Sequence, residues 1–161
     1  MTPHEFCPIS ARVDLIKAGE DPGFICELPS GFAVLNANQP EAVTGCCMLL
    51  PSTVVASPND LDSEDRARFF LDMTILGDAI MQATGSKRIN YLVLCNQAPE
   101  LHGHCIPRFE SEDPIKRKQG PFEAYDFVAS RRTDPFGQDQ ELLDALRESL
   151  QSSRRSASTE C

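Results

Sequence analysis

The sequence has no long hydrophobic run and little positive charge. No stretch approaches the roughly 20 apolar residues of a membrane-spanning helix, and residues 1–10 lack the apolar centre of a signal peptide. Lys and Arg number 15 against 24 Asp and Glu, a net charge of −9, and no run is rich in Lys or Arg. The negative net charge therefore argues against sequence-independent binding to the phosphates of nucleic acids. We expect a cytoplasmic protein that binds neither nucleic acid nor membranes.

The seven cysteines include no CxxC pair. They occupy positions 7, 26, 46, 47, 95, 105 and 161. An odd number without paired spacing predicts neither a disulfide framework nor a zinc ribbon. We interpret most of these cysteines as small buried hydrophobic residues.

No internal repeat or linker divides the 161 residues, and we predict a single domain over residues 1–151. A chain of this length buries roughly 70% of the surface that its unfolded form exposes, so it needs no metal or disulfide to fold. Residues 152–161 contain no large apolar side chain. This composition predicts a disordered C-terminal tail.

Short apolar runs predict strands in the first two thirds of the chain. Residues 24–28 and 32–35 flank Pro29-Ser30-Gly31, which favours a tight turn and therefore a hairpin. A polar loop over residues 36–44 leads to a third strand that Pro51 ends. Two more strands are predicted over residues 89–95 and 100–108. Because strands dominate without regular alternation with helices, the pattern favours an α+β fold with a mostly antiparallel sheet.

Two segments have the spacing of amphipathic helices. The first begins at Asp62 or Ser63, ends at Gly85, and carries one apolar stripe: Phe69, Met73, Leu76, Ile80 and Ala83. The second begins at Asp134-Pro135 or a few residues later. It places four leucines on one face: Leu142, Leu143, Leu146 and Leu150.

The last predicted strand concentrates titratable side chains on one face. Alternation places on one side Glu100, His102, His104, Ile106 and Arg108, and on the other Leu101, Gly103 and Cys105. An imidazole can act at neutral pH as a nucleophile, an acid or a base. Glu100 can orient a neighbouring ring, and Arg108 can neutralise a carboxylate or phosphate. On spacing alone, an ordinary half-exposed strand explains the two histidines equally well.

The surrounding sequence, RINYLVLCNQAPELHGHCIPRF from Arg88 to Phe109, resembles the signature strand pair of the histidine triad (HIT) superfamily of nucleotide hydrolases and transferases. The motif of that family is His-φ-His-φ-His-φ-φ, where φ is apolar, often followed by Pro-Arg. Glu100 stands at the first histidine position, His102 at the second and His104 at the third. Pro107-Arg108 matches the continuation, and the similarity covers about residues 24–109.

The resemblance implies a fold and a set of catalytic residues. The fold is a mostly antiparallel five-stranded sheet with one long helix packed on it and a C-terminal helix. His102 would attack the α-phosphorus of a nucleotide and become transiently nucleotidylated. His104 would hydrogen-bond the phosphate oxygens and the leaving group, and Glu100 would complete the catalytic set.

The resemblance also implies the ligands of the site. Asn36 falls where the family has an aspartate that holds the ribose, and Asn96 matches an asparagine near the phosphate. Gln97 and Arg108 complete the implied substrate-binding residues. The implied substrate is a nucleotide or dinucleoside polyphosphate, with no cofactor and no metal. Two copies would form a homodimer by joining their sheets.

The sequence departs from the family pattern at two places. Glu100 puts an anion beside the expected phosphate site, which weakens phosphate binding unless the carboxyl is protonated, turned away or paired. Residues 51–54, Pro-Ser-Thr-Val, lack the Lys and His of the family. Two alternatives therefore stay open. One is a nucleotide-binding or regulatory module with weakened catalysis, and the other is a metal-dependent hydrolase with ligands among His102, His104, Cys105 and Glu110.

Overall fold

The computed structural model describes residues 8–157. Its five-stranded antiparallel sheet is formed by β1 (Phe24–Leu28), β2 (Gly31–Leu35), β4 (Cys47–Pro51), β5 (Arg88–Leu92) and β6 (Gly103–Arg108), in the spatial order β1-β2-β4-β6-β5. A separate ladder pairs β3 (Asn38–Gln39) with β7 (Arg131–Arg132). The helices are α1 (Pro8–Ala18), α2 (Ser63–Thr84), the short α3 (Pro121–Ala124) and α4 (Gln140–Ala157). The predicted α+β class and five-stranded antiparallel sheet are confirmed.

The first two strands form the predicted hairpin, and its turn is fixed by two contacts. A Cβ on Gly31 would lie 1.9 Å from the backbone oxygen of Leu50, so only glycine lets β2 approach β4 this closely. The carboxylate of Asp72, buried in the middle of α2, accepts the backbone N–H of Ser30 at 2.8 Å. The turn is therefore tied to the helix that covers the sheet.

The long helix α2 has the predicted bounds. The side chain of Asp62 accepts the N–H of Asp65 at its start, and Gly85, in the left-handed conformation, ends it. The apolar stripe of α2 and the leucines of α4 are buried against one face of the sheet. They belong to one hydrophobic core, which includes Phe69, Met73, Leu76, Ile80, Leu143, Leu146 and Leu150. Both predicted helices are thereby confirmed. No helix of the described residues is long and apolar enough to cross a membrane.

The opposite face of the sheet is partly covered by α1, which the sequence analysis did not predict. This helix buries Ile9, Val13 and Ile16. They pack on side chains that β2 and β4 direct to this face: Phe32, Val34, Met48 and Leu50. Its apolar residues have helical spacing, but the helix is only 11 residues long and follows no predicted capping residue.

Several predicted boundaries differ from the structure. Strand β5 ends at Leu92, because the chain turns away and Cys95 adopts a left-handed conformation with φ +53°. Strand β6 begins at Gly103, three residues later than predicted. The short strand β3 lies within the predicted polar loop. Helix α4 continues to Ala157, so residues 152–157 are helical where we predicted a disordered tail, and residues 158–161 lie outside the described part.

The described cysteines behave largely as predicted. Cys46, Cys47 and Cys105 are buried, while Cys26 and Cys95 are half-buried. Cys7 and Cys161 lie outside the described residues. Burial raises the pKa of the Cys105 thiol to about 12, so this group stays protonated and inert at neutral pH.

Gly103 sets the distance between β6 and α2. A Cβ at this position would lie 2.6 Å from both Sδ and Cε of Met73. We expect Gly103→Val to lower the free energy of unfolding by about 1–3 kcal/mol through overpacking, and Met73→Ala to lower it by about 2–5 kcal/mol through a cavity. In the double variant the valine occupies space that Met73 vacates. The decrease in the free energy of unfolding of the double variant, measured by urea unfolding, should be smaller than the sum of the decreases of the two single variants. Additive decreases would contradict this packing.

Candidate active site

A cavity of about 1040 Å³ opens on the sheet face that carries the two histidines. It lies between the first turn of α1, the loop after β5 and the segment around α3. Five of the predicted site residues line it: Asn36, Asn96, Gln97, His102 and His104. Glu100 and Arg108 do not line it. The structure thus gathers most of the predicted site and excludes two of its members.

His102 is held in a defined orientation at the start of β6. Its ring is 7% exposed, and its Nδ1 lies 2.7 Å from the backbone oxygen of Glu100. A carbonyl oxygen only accepts hydrogen bonds, so Nδ1 must carry the proton and donate it. In a neutral imidazole with this tautomer the lone pair lies on Nε2, which is the form that a nucleophile or a base requires.

His104 packs edge-on against His102 on the same strand face. The ring centroids are 4.9 Å apart with an interplanar angle of 82°. Burial and, to a smaller extent, the neighbouring His102 lower the pKa of His104 to about 4. His104 is therefore neutral at pH 7, where it can donate or accept a hydrogen bond without adding charge to the site. The alternation predicted for this strand brings the two rings together as expected.

Four residues with amide side chains line the cavity, and the sequence predicted all of them except Asn38. Asn36 follows β2, and its backbone N–H donates to the carbonyl of Cys46 at 2.9 Å while its side chain donates to the carbonyl of Asn38 at 2.8 Å. Asn96 and Gln97 are exposed and follow the left-handed turn at Cys95. Both residues belong to the loop between β5 and β6 and line the cavity.

Glu100 does not face the cavity, contrary to the prediction that it belongs to the catalytic set. Its carboxylate accepts the backbone N–H of Ser10 at 2.9 Å and the Ser10 hydroxyl at 2.6 Å. Ser10 lies in the first turn of α1, where backbone N–H groups have no partner within the helix. The carboxylate is thus paired and turned away, which relieves the repulsion that the sequence predicts between Glu100 and a phosphate.

Arg108, which the sequence analysis placed among the substrate-binding residues, does not line the cavity either. Its guanidinium is buried and donates to the carboxylate of Glu112, to Oδ1 of Asn90, and to the backbone oxygens of Lys116 and Gln119, at distances of 2.7–3.1 Å. These contacts engage Nε, Nη1 and Nη2, with two acceptors on each terminal nitrogen. No donor is left for a substrate.

Glu112 connects Arg108 to the wall of the cavity. Burial opposes the ionisation of Glu112, but hydrogen bonds from Arg108 and Tyr125 outweigh it and lower the pKa of the carboxyl. The Tyr125 hydroxyl donates to this carboxylate at 2.7 Å. The buried ion pair therefore fixes the loop after β6 and, through Tyr125, the segment that follows it.

An aromatic wall, formed by Phe122, Tyr125 and Phe127, closes one side of the cavity. The sequence analysis did not assign these aromatic residues to the site. The ring of Phe122 lies 5.0 Å from that of His104 and 4.7 Å from that of Phe127. Tyr125 and Phe127 pack against the core around Val43, Cys46 and Ile106. Three aromatic residues within six positions, from Phe122 to Phe127, were the signal in the sequence that could have pointed to this wall.

The charges that line the cavity are mixed. Glu123 and Asp126 contribute carboxylates, and among the described residues of the lining Lys116 is the one with a cationic side chain. The ammonium group of Lys116 lies 5.5 Å from the centre of the Tyr125 ring. The next two residues, Arg117 and Lys118, are also basic, but they are exposed and line a separate surface groove.

The possible metal ligands named from the sequence, among them His102, His104 and Cys105, do not surround a common point. Cys105 points to the face opposite the histidines, with Sγ 3.6 Å from the backbone oxygen of Met73 in α2. Over residues 8–157, no three side chains among His, Cys, Asp and Glu are grouped so that they could hold a metal ion. The geometry of this part of the chain therefore gives no support to the alternative of a metal-dependent hydrolase.

The low pKa of His104 predicts that the stability of the protein depends on pH. The unfolded chain binds a proton at this histidine near its ordinary pKa of 6.5, whereas the folded protein does so only near 4. The free energy of unfolding should therefore fall as pH drops from about 6.5 to about 4, by at most ~3 kcal/mol, and this contribution should level off below pH 4. We expect urea unfolding at pH 7 and about pH 4.5 to show a smaller decrease for His104→Gln than for the wild type. Equal decreases would contradict the assignment.

Comparison with solved structures identifies the fold. No protein-family model matches the sequence, and no curated protein sequence is significantly similar to it. A histidine triad protein from Bradyrhizobium japonicum superimposes with a TM-score of 0.66 at 20% identity, covering 79% of this chain and 89% of that protein. A hypothetical histidine triad nucleotide-binding protein from Sulfolobus tokodaii gives a TM-score of 0.67 at 17% identity, covering 90% and 94%. A zinc-bound histidine triad family protein from Mycobacterium smegmatis gives 0.59 at 19% identity, covering 93% and 96%. The chain therefore has the histidine triad fold.

Proposed function

We propose that this protein is a histidine triad hydrolase or nucleotidyl transferase that acts at a nucleoside α-phosphate through a covalent nucleotidyl-His102 intermediate. The observation that carries the proposal is the state of His102. Its Nδ1–H is held by a backbone carbonyl, which leaves a lone pair on Nε2 in a ring that lines the cavity. The fold and the resemblance around residues 88–109 support the same chemistry.

The first chemical step transfers the nucleotidyl group to the enzyme. Nε2 of His102 attacks the α-phosphorus, a P–N bond forms, and the bond from phosphorus to the leaving group breaks with its electron pair going to the leaving group. The neutral imidazole brings no negative charge toward the anionic phosphoryl group. His104, which is neutral at pH 7, donates a hydrogen bond to the phosphoryl oxygens or the leaving group.

The second step transfers the group to water or to another acceptor. Water attacks the same phosphorus, the P–N bond breaks, and a nucleoside monophosphate is released while His102 regains its Nε2 lone pair. Asn36 holds the ribose in this proposal, and Asn96 and Gln97 donate to phosphate oxygens. Arg108 has no role in binding, because its donors are engaged within the protein.

Removal of the nucleophile tests the mechanism. We expect His102→Ala to abolish release of nucleoside monophosphate from a panel of dinucleoside polyphosphates and nucleoside phosphoramidates, with losses of at least about 10³-fold. His102→Asn is the matched control, because its side-chain amide can still donate to the carbonyl of Glu100 but cannot form the intermediate. Mass spectrometry after an alkaline quench should detect one nucleotidyl group on the wild type and none on either variant. Full activity in His102→Ala would refute the proposal.

The same assay separates the alternatives. Turnover that vanishes with a chelator would indicate metal-dependent hydrolysis, while turnover that resists the chelator agrees with the nucleotidyl-histidine mechanism. Nucleotide binding without turnover of any substrate would indicate a binding or regulatory module. The two carboxylates in the cavity, Glu123 and Asp126, are the observation that favours this last outcome for highly charged polyphosphates.

We also propose that two copies form a homodimer by joining their sheets through β5. The other edge strand, β1, is covered by α4, whose Arg147 donates to the carbonyl of Phe24 at 2.7 Å. Pro107 pairs with Ile89 and has no N–H, so this pair is not hydrogen-bonded, and the backbone groups of Ile89 and Tyr91 point away from β6. The outer edge of β5 can therefore accept a further strand.

Proline on the free edge of β5 tests the homodimer. We expect sedimentation velocity at micromolar concentration to show a dimer for the wild type and for Tyr91→Thr. Tyr91→Pro removes an outward-pointing N–H and should give a monomer while leaving the hydrogen bonds to β6 intact. A wild-type monomer, or a Tyr91→Pro dimer, would rule out pairing at this edge.

A further inference from the structure

We propose that Glu100 and Ser10 are positioning residues for His102, a role that rests on the proposed function and concerns the same site. In this arrangement the first turn of α1 holds the Glu100 side chain, and the backbone carbonyl of Glu100 in turn holds the His102 ring as the Nδ1–H tautomer. Glu100 thus acts through His102 and does not touch the substrate.

The first step of the argument is the peptide group between Glu100 and Leu101. Its two polar ends are both engaged: the carbonyl accepts Nδ1–H of His102 at 2.7 Å, and the N–H of Leu101 donates to the backbone oxygen of Val55 at 2.7 Å. Because a peptide group is planar, these two bonds fix one orientation of the plane. The residues just before β6 are outside regular secondary structure, so this orientation depends on such contacts.

The second step is the anchor of the Glu100 side chain. Ser10 offers its backbone N–H at 2.9 Å and its hydroxyl at 2.6 Å, and both lie at the positive end of the α1 dipole, which favours a carboxylate. The helix itself is fixed on the sheet by buried Ile9, Val13 and Ile16. Arg12 adds a hydrogen bond to the carbonyl of Leu35 at 2.8 Å. The carboxylate is therefore held by a rigid element.

The third step is the consequence for reactivity. A histidine ring without a fixed acceptor for Nδ1–H exchanges between tautomers and rotates about its side-chain bonds. Only the Nδ1–H tautomer presents the Nε2 lone pair. Loss of the anchor should therefore lower the rate of the chemical step with little effect on substrate binding, because the residues that line the cavity are unchanged.

The test compares three variants at the anchor with one control. Glu100→Ala removes the carboxylate, and Ser10→Ala removes the hydroxyl but keeps the backbone donor. Glu100→Gln is the conservative rescue, since its amide oxygen can accept the N–H of Ser10 and its amide nitrogen can donate to the hydroxyl. Asp14→Asn, on the exposed side of α1, is the matched control for loss of a carboxylate from this region.

The tautomer of His102 is the first readout, because it would not change if Glu100 and Ser10 only stabilised the fold. Long-range ¹H–¹⁵N spectra of protein labelled at histidine report it directly, and the His102→Asn variant assigns the signals. We expect the wild type, Glu100→Gln and Asp14→Asn to show the Nδ1–H tautomer. Glu100→Ala should show exchange between tautomers, and Ser10→Ala a smaller change in the same direction.

Kinetics provide the second readout. We expect Glu100→Ala to lower kcat by about 10- to 100-fold with KM nearly unchanged, and Glu100→Gln to retain kcat within about threefold. An unchanged His102 tautomer in folded Glu100→Ala would overturn the inference, as would a Glu100→Gln variant that behaves like Glu100→Ala. If the wild type turns over no substrate, the proposed function fails, and the tautomer measurement still decides the positioning role.

Discussion

The alternation of side chains along β6 is the constraint on which the fold and the site both depend. This strand lies between β4 and β5, with α2 on one face and the cavity on the other. Gly103 and Cys105 must be small because Met73 and the backbone of α2 approach them closely. His102 and His104 point the other way for the same geometric reason. A shift of register by one residue would bury both imidazoles under α2 and empty the site.

A buried ion pair extends this organisation beyond the end of β6. Arg108 and Glu112 are both almost fully buried, a situation that costs several kcal/mol per ion unless each polar atom finds a partner. Here the guanidinium reaches two backbone carbonyls and Asn90, and the carboxylate also accepts Tyr125 and the N–H of Phe109. The ion pair therefore fixes the loop after β6 and, through Tyr125, the aromatic wall, in which Phe122 contacts the ring of His104.

The sequence predicted those parts of the fold and site that depend on local spacing. The stripe of α2 and its caps, the first hairpin and the facing histidines follow from period and turn chemistry alone. Glu100 was misplaced because strand alternation was extended three residues beyond the start of β6. Its partner, Ser10, is 90 residues away in a helix that was not predicted. Arg108 does share the histidine face, but no periodicity shows that Asn90, Glu112 and the loop carbonyls would use its donors.

The two histidines have the same side chain but different surroundings, and both surroundings suit the proposed reaction. In that reaction the ring of His102 would become cationic when Nε2 bonds to phosphorus, and the carbonyl oxygen of Glu100 lies 2.7 Å from Nδ1, where part of that charge would develop. A second cation at a ring-to-ring distance of 4.9 Å would oppose this step. Burial keeps His104 neutral well below physiological pH, so the neighbour supplies a hydrogen bond without repulsion. A carboxylate facing the same ring would stabilise the cation but repel the phosphate. Pairing Glu100 with Ser10 removes that repulsion and leaves its backbone oxygen to stabilise the ring.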